Sequence, residues 1–80
     1  MSTDAEWRAS NPSELGTALA RLRMSRGLRQ EDVADASGLR REYVSRLESG
    51  LATEQILNLF ALLRSQGYEL VLAPRSRNHG

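Results

Sequence analysis

Residues 30–48 read QEDVADASGLRREYVSRLE, and the small and apolar residues of this stretch stand where two short, crossing helices must touch. Glu31 and Asp32 open the first helix, residues 30–36, where carboxylates meet the positive end of the helix dipole. Ser37, Gly38 and Leu39 break the chain, with Gly38 in a tight turn because a left-handed backbone costs glycine least. The second helix, residues 41–48, ends at Ser49 and Gly50, a suitable C-cap. Ala34 lets the two helices approach closely, and Val33, Leu39, Val44 and Leu47 are expected to fill the core they share. What remains faces outward. Arg40, Arg41, Glu42, Ser45, Arg46 and Ser49 make a polar surface of the size that fits a DNA major groove.

Upstream, Asn11-Pro12-Ser13-Glu14 reads as a helix start: Asn11 caps, Pro12 takes the first helical position and Glu14 closes a capping box. A helix over residues 12–25 then buries Leu15, Ala18, Leu19 and Leu22, turns Arg21 and Arg26 to water, and stops at Gly27. Downstream, Thr53 caps a fourth helix with Ile56, Leu57, Phe60 and Leu63 as its apolar stripe and Gly67 as its end. Residues 68–73, YELVLA, have strand composition between Gly67 and Pro74, although Glu, Leu and Ala also tolerate a continued helix. No second strand is legible, and a lone strand is unstable, so its partner is expected outside the chain. Two copies pairing antiparallel across a two-fold axis supply one, with Tyr68, Leu70, Val71 and Leu72 in the dimer interface. The expected class is all-α: a flexible arm over 1–10, a four-helix domain over 11–67, a dimerisation strand over 68–74 and a flexible tail over 75–80.

An 80-residue chain encloses one thin core, and small folds recruit a disulfide, a metal or a second subunit to support it. There is no cysteine, so a second subunit is the expected support. Residues 1–10 carry Asp4 and Glu6 and no apolar run, and the longest apolar run, residues 59–63, is too short for a bilayer; a cytoplasmic protein, on the nucleoid when bound, is expected. The net charge is only +1, but it is unevenly spread, from −2 over residues 1–14 to +2 over residues 15–50. Every basic side chain is arginine, which suits bidentate contacts to phosphate and guanine and follows equally from a GC-rich coding sequence. The only histidine, His79, stands in a polar tail, and no nucleophile, metal cluster or phosphate-cradling loop appears. No catalytic residue, metal ligand or cofactor is therefore assigned. Trp7 reads as a hydrophobic anchor for the arm.

Residues 28–50 resemble the helix-turn-helix of the phage repressor/Cro and XRE family of transcriptional regulators, with Gln30, Ala34, Gly38, Val44, Ser45, Arg46, Glu48 and Gly50 where that pattern places their types. The layout of residues 11–74 is similar, more narrowly, to the HipB-type antitoxins of HipA toxin kinases. The resemblance implies a lambda repressor-like fold, an inverted-repeat operator on double-stranded DNA, a homodimer and a HipA-like kinase partner. It implies that Gln30 contacts the DNA backbone or an adjacent base, and that Arg40, Arg41, Glu42 and Arg46 fall where bases are read. Tyr43 and Ser45 then reach base edges or phosphates. Glu42, a carboxylate near phosphates, either accepts a cytosine N4 hydrogen bond or restrains an arginine, of which restraint is the favoured reading; a pair with Arg46, four residues on, is worth only about 0.2–0.5 kcal/mol, and groove contacts are expected to outcompete it. Arg23 and Glu48 take the positions of a buried structural ion pair, in which loss of one partner costs roughly 3–5 kcal/mol. Arg29 and Arg40 depart from the pattern, standing where Thr or Ser caps the two helices at about 1 kcal/mol each; phosphate contact would compensate. Two other readings are a regulator without a toxin partner and an interaction module that has lost DNA binding.

Overall fold

Asn11 starts the ordered helical part of the chain as its side chain predicts: its Oδ1 accepts the backbone N–H of Glu14 at 2.8 Å. Glu14 reaches back in turn, one residue further than a standard capping box, to accept the N–H of Ser10 at 2.7 Å. The computed structural model describes residues 6–75. Residues 1–5 of the expected arm, and the expected tail beyond Arg75, lie outside the described residues. Four helices follow one another: α1 (Pro12–Ser25), α2 (Gln30–Ser37), α3 (Arg41–Glu48) and α4 (Glu54–Ser65). Thr53 caps α4 by accepting the N–H of Ile56 at 3.4 Å. Gly38, at φ 73°, makes the left-handed turn between α2 and α3 that a side chain would strain.

Two short strands flank the helices among the described residues, β1 (Trp7–Ala9) and β2 (Leu70–Leu72). They pair antiparallel, with Trp7 opposite Leu72, Arg8 opposite Val71 and Ala9 opposite Leu70. This overturns the expectation that the C-terminal strand has no partner within its own chain. The partner is the segment just before α1, and its pairing with β2 satisfies backbone groups on one edge of that strand. Ala9, Leu70, Leu72 and Trp7 turn inward and are buried or half-buried, whereas Arg8 and Val71 are exposed on the other face. An ion pair between Arg8 and Glu69 at 2.7 Å, open to solvent, sits beside the register.

α1 is the element on which the others converge. It packs against α3, β1 and, through fewer residues, α4, while α2 packs on α3. Among the described residues the fully buried apolar ones are few, the small Ala9, Ala18, Ala34 and Val44 and one large side chain, Phe60. Leu39, expected in the core, is 47% exposed. It stands at an open apolar cleft of about 320 Å³ lined from α1 to α3 by Leu19, Leu22, Leu28, Val33 and Leu47, to which α4 contributes no wall. Without that cover, the residue after the turn stays wet.

Candidate nucleic-acid interface

Val44 fixes the orientation of α3, because it is the residue of that helix that is fully buried. At about 100° per residue, an inward Val44 carries Leu47 and Glu48 inward with it and turns Glu42, Ser45, Arg46 and Ser49 outward, while Arg41, three residues before Val44, stands at the flank of that arc in the first turn. The accessibilities agree: Arg40, Arg41, Glu42, Tyr43, Arg46 and Ser49 are exposed and Ser45 is half-buried at the rim. Eight residues give a helix about 12 Å long, comparable to the width of the major groove.

The helix is tied down from behind. Arg23 of α1 donates from Nε to Oε2 of Glu48 at 2.7 Å and from Nη2 to Oε1 at 3.0 Å. Its remaining Nη1 donates to the Leu28 carbonyl at 2.7 Å, so the same guanidinium also fixes the approach to α2. The side chains are 15% and 8% exposed. Hydrogen bonding by Arg23 holds the Glu48 carboxyl below the usual carboxylate range, against the opposing effect of partial burial and with help from Gln30. Gln30 donates from Nε2 to Glu48 Oε1 at 3.0 Å, while its Oε1 accepts from Arg41 Nη1 at 3.3 Å. Both ends of the Gln30 amide are thus used within the protein. No spacing in the sequence marks this connection, which depends on how α2 and α3 pack.

The starts of the two helices differ. Arg29 at the N-cap of α2 supplies no acceptor, but Asp32 accepts its backbone N–H at 2.7 Å and its guanidinium at 3.2 Å. Asp32 is held below the usual carboxylate range by these bonds, the side-chain one first. Compensation for the lost cap therefore comes from inside the protein. Arg40 at the N-cap of α3 makes no capping bond. Among the described residues, Glu42 and Arg46 join no ion pair. Glu42 thus restrains no arginine in the DNA-free protein, and its pair with Arg46 does not form: an exposed pair at that spacing gains only about 0.2–0.5 kcal/mol, less than the entropy of fixing two long side chains.

The helix-turn-helix domain family matches residues 14–66, from the first turn of α1 to the end of α4. The chain belongs to that family. It is similar to two proteins of Sinorhizobium fredii (strain NBRC 101917 / NGR234), each named an uncharacterized HTH-type transcriptional regulator. The first, y4dJ, is 38% identical over 53 residues, which are 66% of this chain and 69% of the relative. The second, y4mF, is 30% identical over 71 residues, 88% of this chain and 93% of the relative. No solved structure matches. In this helix-turn-helix chain the expected interface residues of the strand divide: Tyr68 and Val71 are exposed, while Leu70 and Leu72 turn toward the domain.

Proposed function

We propose that this chain is a sequence-specific repressor that binds double-stranded DNA as a homodimer, each copy laying α3 in the major groove of one half of an inverted repeat. The observation that carries the reading is the exposed side of α3, where Arg46 on the outer arc, Arg41 in the first turn and Arg40 at the N-cap all reach solvent around a helix fixed by buried Val44. Arg41 and Arg46 hold guanine through O6 and N7, and Arg40 and Arg29 meet phosphate. Tyr43 and Ser45 complete the contact at base edges or phosphates. The name of the relative matched over 93% of its length supports a regulatory role for a chain of this size.

For the homodimer, support comes from what the domain leaves uncovered. β2 pairs with β1 along one edge only, α4 carries Leu59 and Leu62 to solvent, and Tyr68 just beyond it is exposed as well, with Leu62 and Tyr68 56% and 67% exposed. A helix apolar on more than one face packs against more than one partner. The similarity of the four-helix-and-strand layout to HipB-type antitoxins supports a further task, restraint of a toxin kinase; a regulator acting alone is the second reading.

A mobility shift on the promoter region of the chain's own gene tests the main proposal. The wild type is expected to retain it and the double variant Arg41→Ala, Arg46→Ala to lose it with its helical circular dichroism intact. Full retention by the folded double variant would overturn the proposal. Capture of a kinase encoded by the neighbouring gene separates antitoxin from solitary repressor.

A further inference from the structure

Arg23, Glu48, Gln30 and Arg41 form one continuous hydrogen-bonded row from the interior to the groove side of the domain, with successive bonds of 2.7, 3.0 and 3.3 Å. The chemistry of the row permits one arrangement. Glu48 is ionised beside Arg23 and can only accept, so the Gln30 NH2 must face it. The Gln30 oxygen is then turned outward, and Arg41, which can only donate, is the group that meets it. With the amide reversed, an oxygen would oppose a carboxylate and an NH2 would oppose a guanidinium, so the reverse is excluded twice over.

Resting on the proposed groove binding of α3, we infer that Glu48 and Gln30 are positioning residues for base selectivity: the core carboxylate orients the glutamine amide, which holds Arg41 for one guanine. Arg41 spends one of its five N–H groups on Gln30 and keeps the planar fork that matches O6 and N7. A long exposed side chain otherwise loses its rotamer freedom on binding, and a hydrogen bond already made in the free protein removes part of that loss. Arg46 has no such partner among the described residues and reads its base without this help.

The test uses the full chain and a library of duplexes randomised over the operator length. From the wild type, selection is expected to return a guanine at the position that Arg41→Ala relaxes. Gln30→Met, which keeps the length and loses both hydrogen bonds, is expected to relax that same position by about tenfold. It is expected to leave the other positions nearly unchanged and to lower the melting temperature only modestly, because Arg23 keeps both Glu48 oxygens bonded. Combined with Arg41→Ala, it should add nothing at that position. Uniform weakening across all positions, or additive losses in the double variant, would overturn the inference and make Gln30 a plain phosphate contact. Nuclear magnetic resonance of the DNA-free protein keeps the two readings apart. Gln30→Met and Glu48→Gln should each speed exchange of the Arg41 guanidinium protons, whereas no change in either variant overturns the row even if DNA is bound. Should the wild type select no duplex while that exchange responds, the DNA-binding proposal fails, and the positioning role falls with it although the row itself stands.

Discussion

Gly16 stands where α1 crosses the C-terminal end of α3, and a β-carbon there would meet the carbonyl oxygens of Leu47 and Glu48, the latter at 2.6 Å. In a free helix alanine is favoured over glycine by about 1 kcal/mol, so propensity and packing pull in opposite directions. Backbone oxygens cannot swing aside as a side chain can. Gly16→Ala is therefore expected to lower the melting temperature, at a cost of about 1–3 kcal/mol; a higher melting temperature would show that the helices separate freely. The same end of α3 carries Glu48, whose folded-state pKa lies below its unfolded value because of its bonds from Arg23. Its stabilisation is complete above the unfolded carboxylate pKa and disappears as pH falls through the folded one. Asp32 is shifted the same way by Arg29 and adds to the loss. Thermal melts from about pH 6 down to about pH 3 should show a steep decline in the wild type. Glu48→Gln should be less stable at neutral pH and flatter on acidification, and an unchanged slope would count against the pair.

Helix starts and stops were legible because each has a local chemical cause. Asn11 and Thr53 cap α1 and α4 with their own side chains, and glycines at 27, 38, 50 and 67 all take positive φ just where a helix ends. β1 left no such trace. Three residues, Trp7–Ala9, are too few for a period, and their extended state depends on a strand at the other end of the chain. Likewise, the outward face of α3 was legible from the spacing around Val44, whereas the row through Gln30 depends on how two helices are placed in space. The cap positions give a test of how far local chemistry reaches. Arg29 and Arg40 look alike in sequence, yet Asp32 satisfies the N–H of Arg29 and α3 has no side-chain cap at Arg40. Arg40→Ser should therefore raise stability by about 1 kcal/mol and weaken DNA retention, while Arg29→Thr should leave the melting temperature nearly unchanged. Equal gains from the two substitutions would show that the reach-back of Asp32 counts for little.

A domain this small is held by very little, since Phe60 is the one large, fully buried side chain among the described residues. Nine large apolar residues are exposed among the described residues, five of them, Leu57, Leu59, Leu62, Tyr68 and Val71, on α4 or the β2 segment. Burying a leucine stabilises by about 1.5–3 kcal/mol, so covering this surface with a second copy adds a sizeable fraction of what a small domain possesses. In the proposed dimer, association and DNA binding are linked. A two-fold dimer presents its two recognition helices about 34 Å apart or a multiple of that, and both must engage for full affinity. The salt dependence reports this directly, because the slope of log affinity against log salt counts the phosphates neutralised. At micromolar concentration the wild type is expected to scatter light at twice its 8.9 kDa chain mass. Across 50–200 mM salt it should lose about 10³–10⁵ in operator affinity. The variant Leu59→Glu, Leu62→Glu should scatter as a monomer, keep its helical content and show roughly half the salt slope, since one copy reaches half the phosphates. A wild type that scatters at the mass of one chain yet shows the full slope would mean that a single copy makes every contact, and the two-fold arrangement would have to be abandoned.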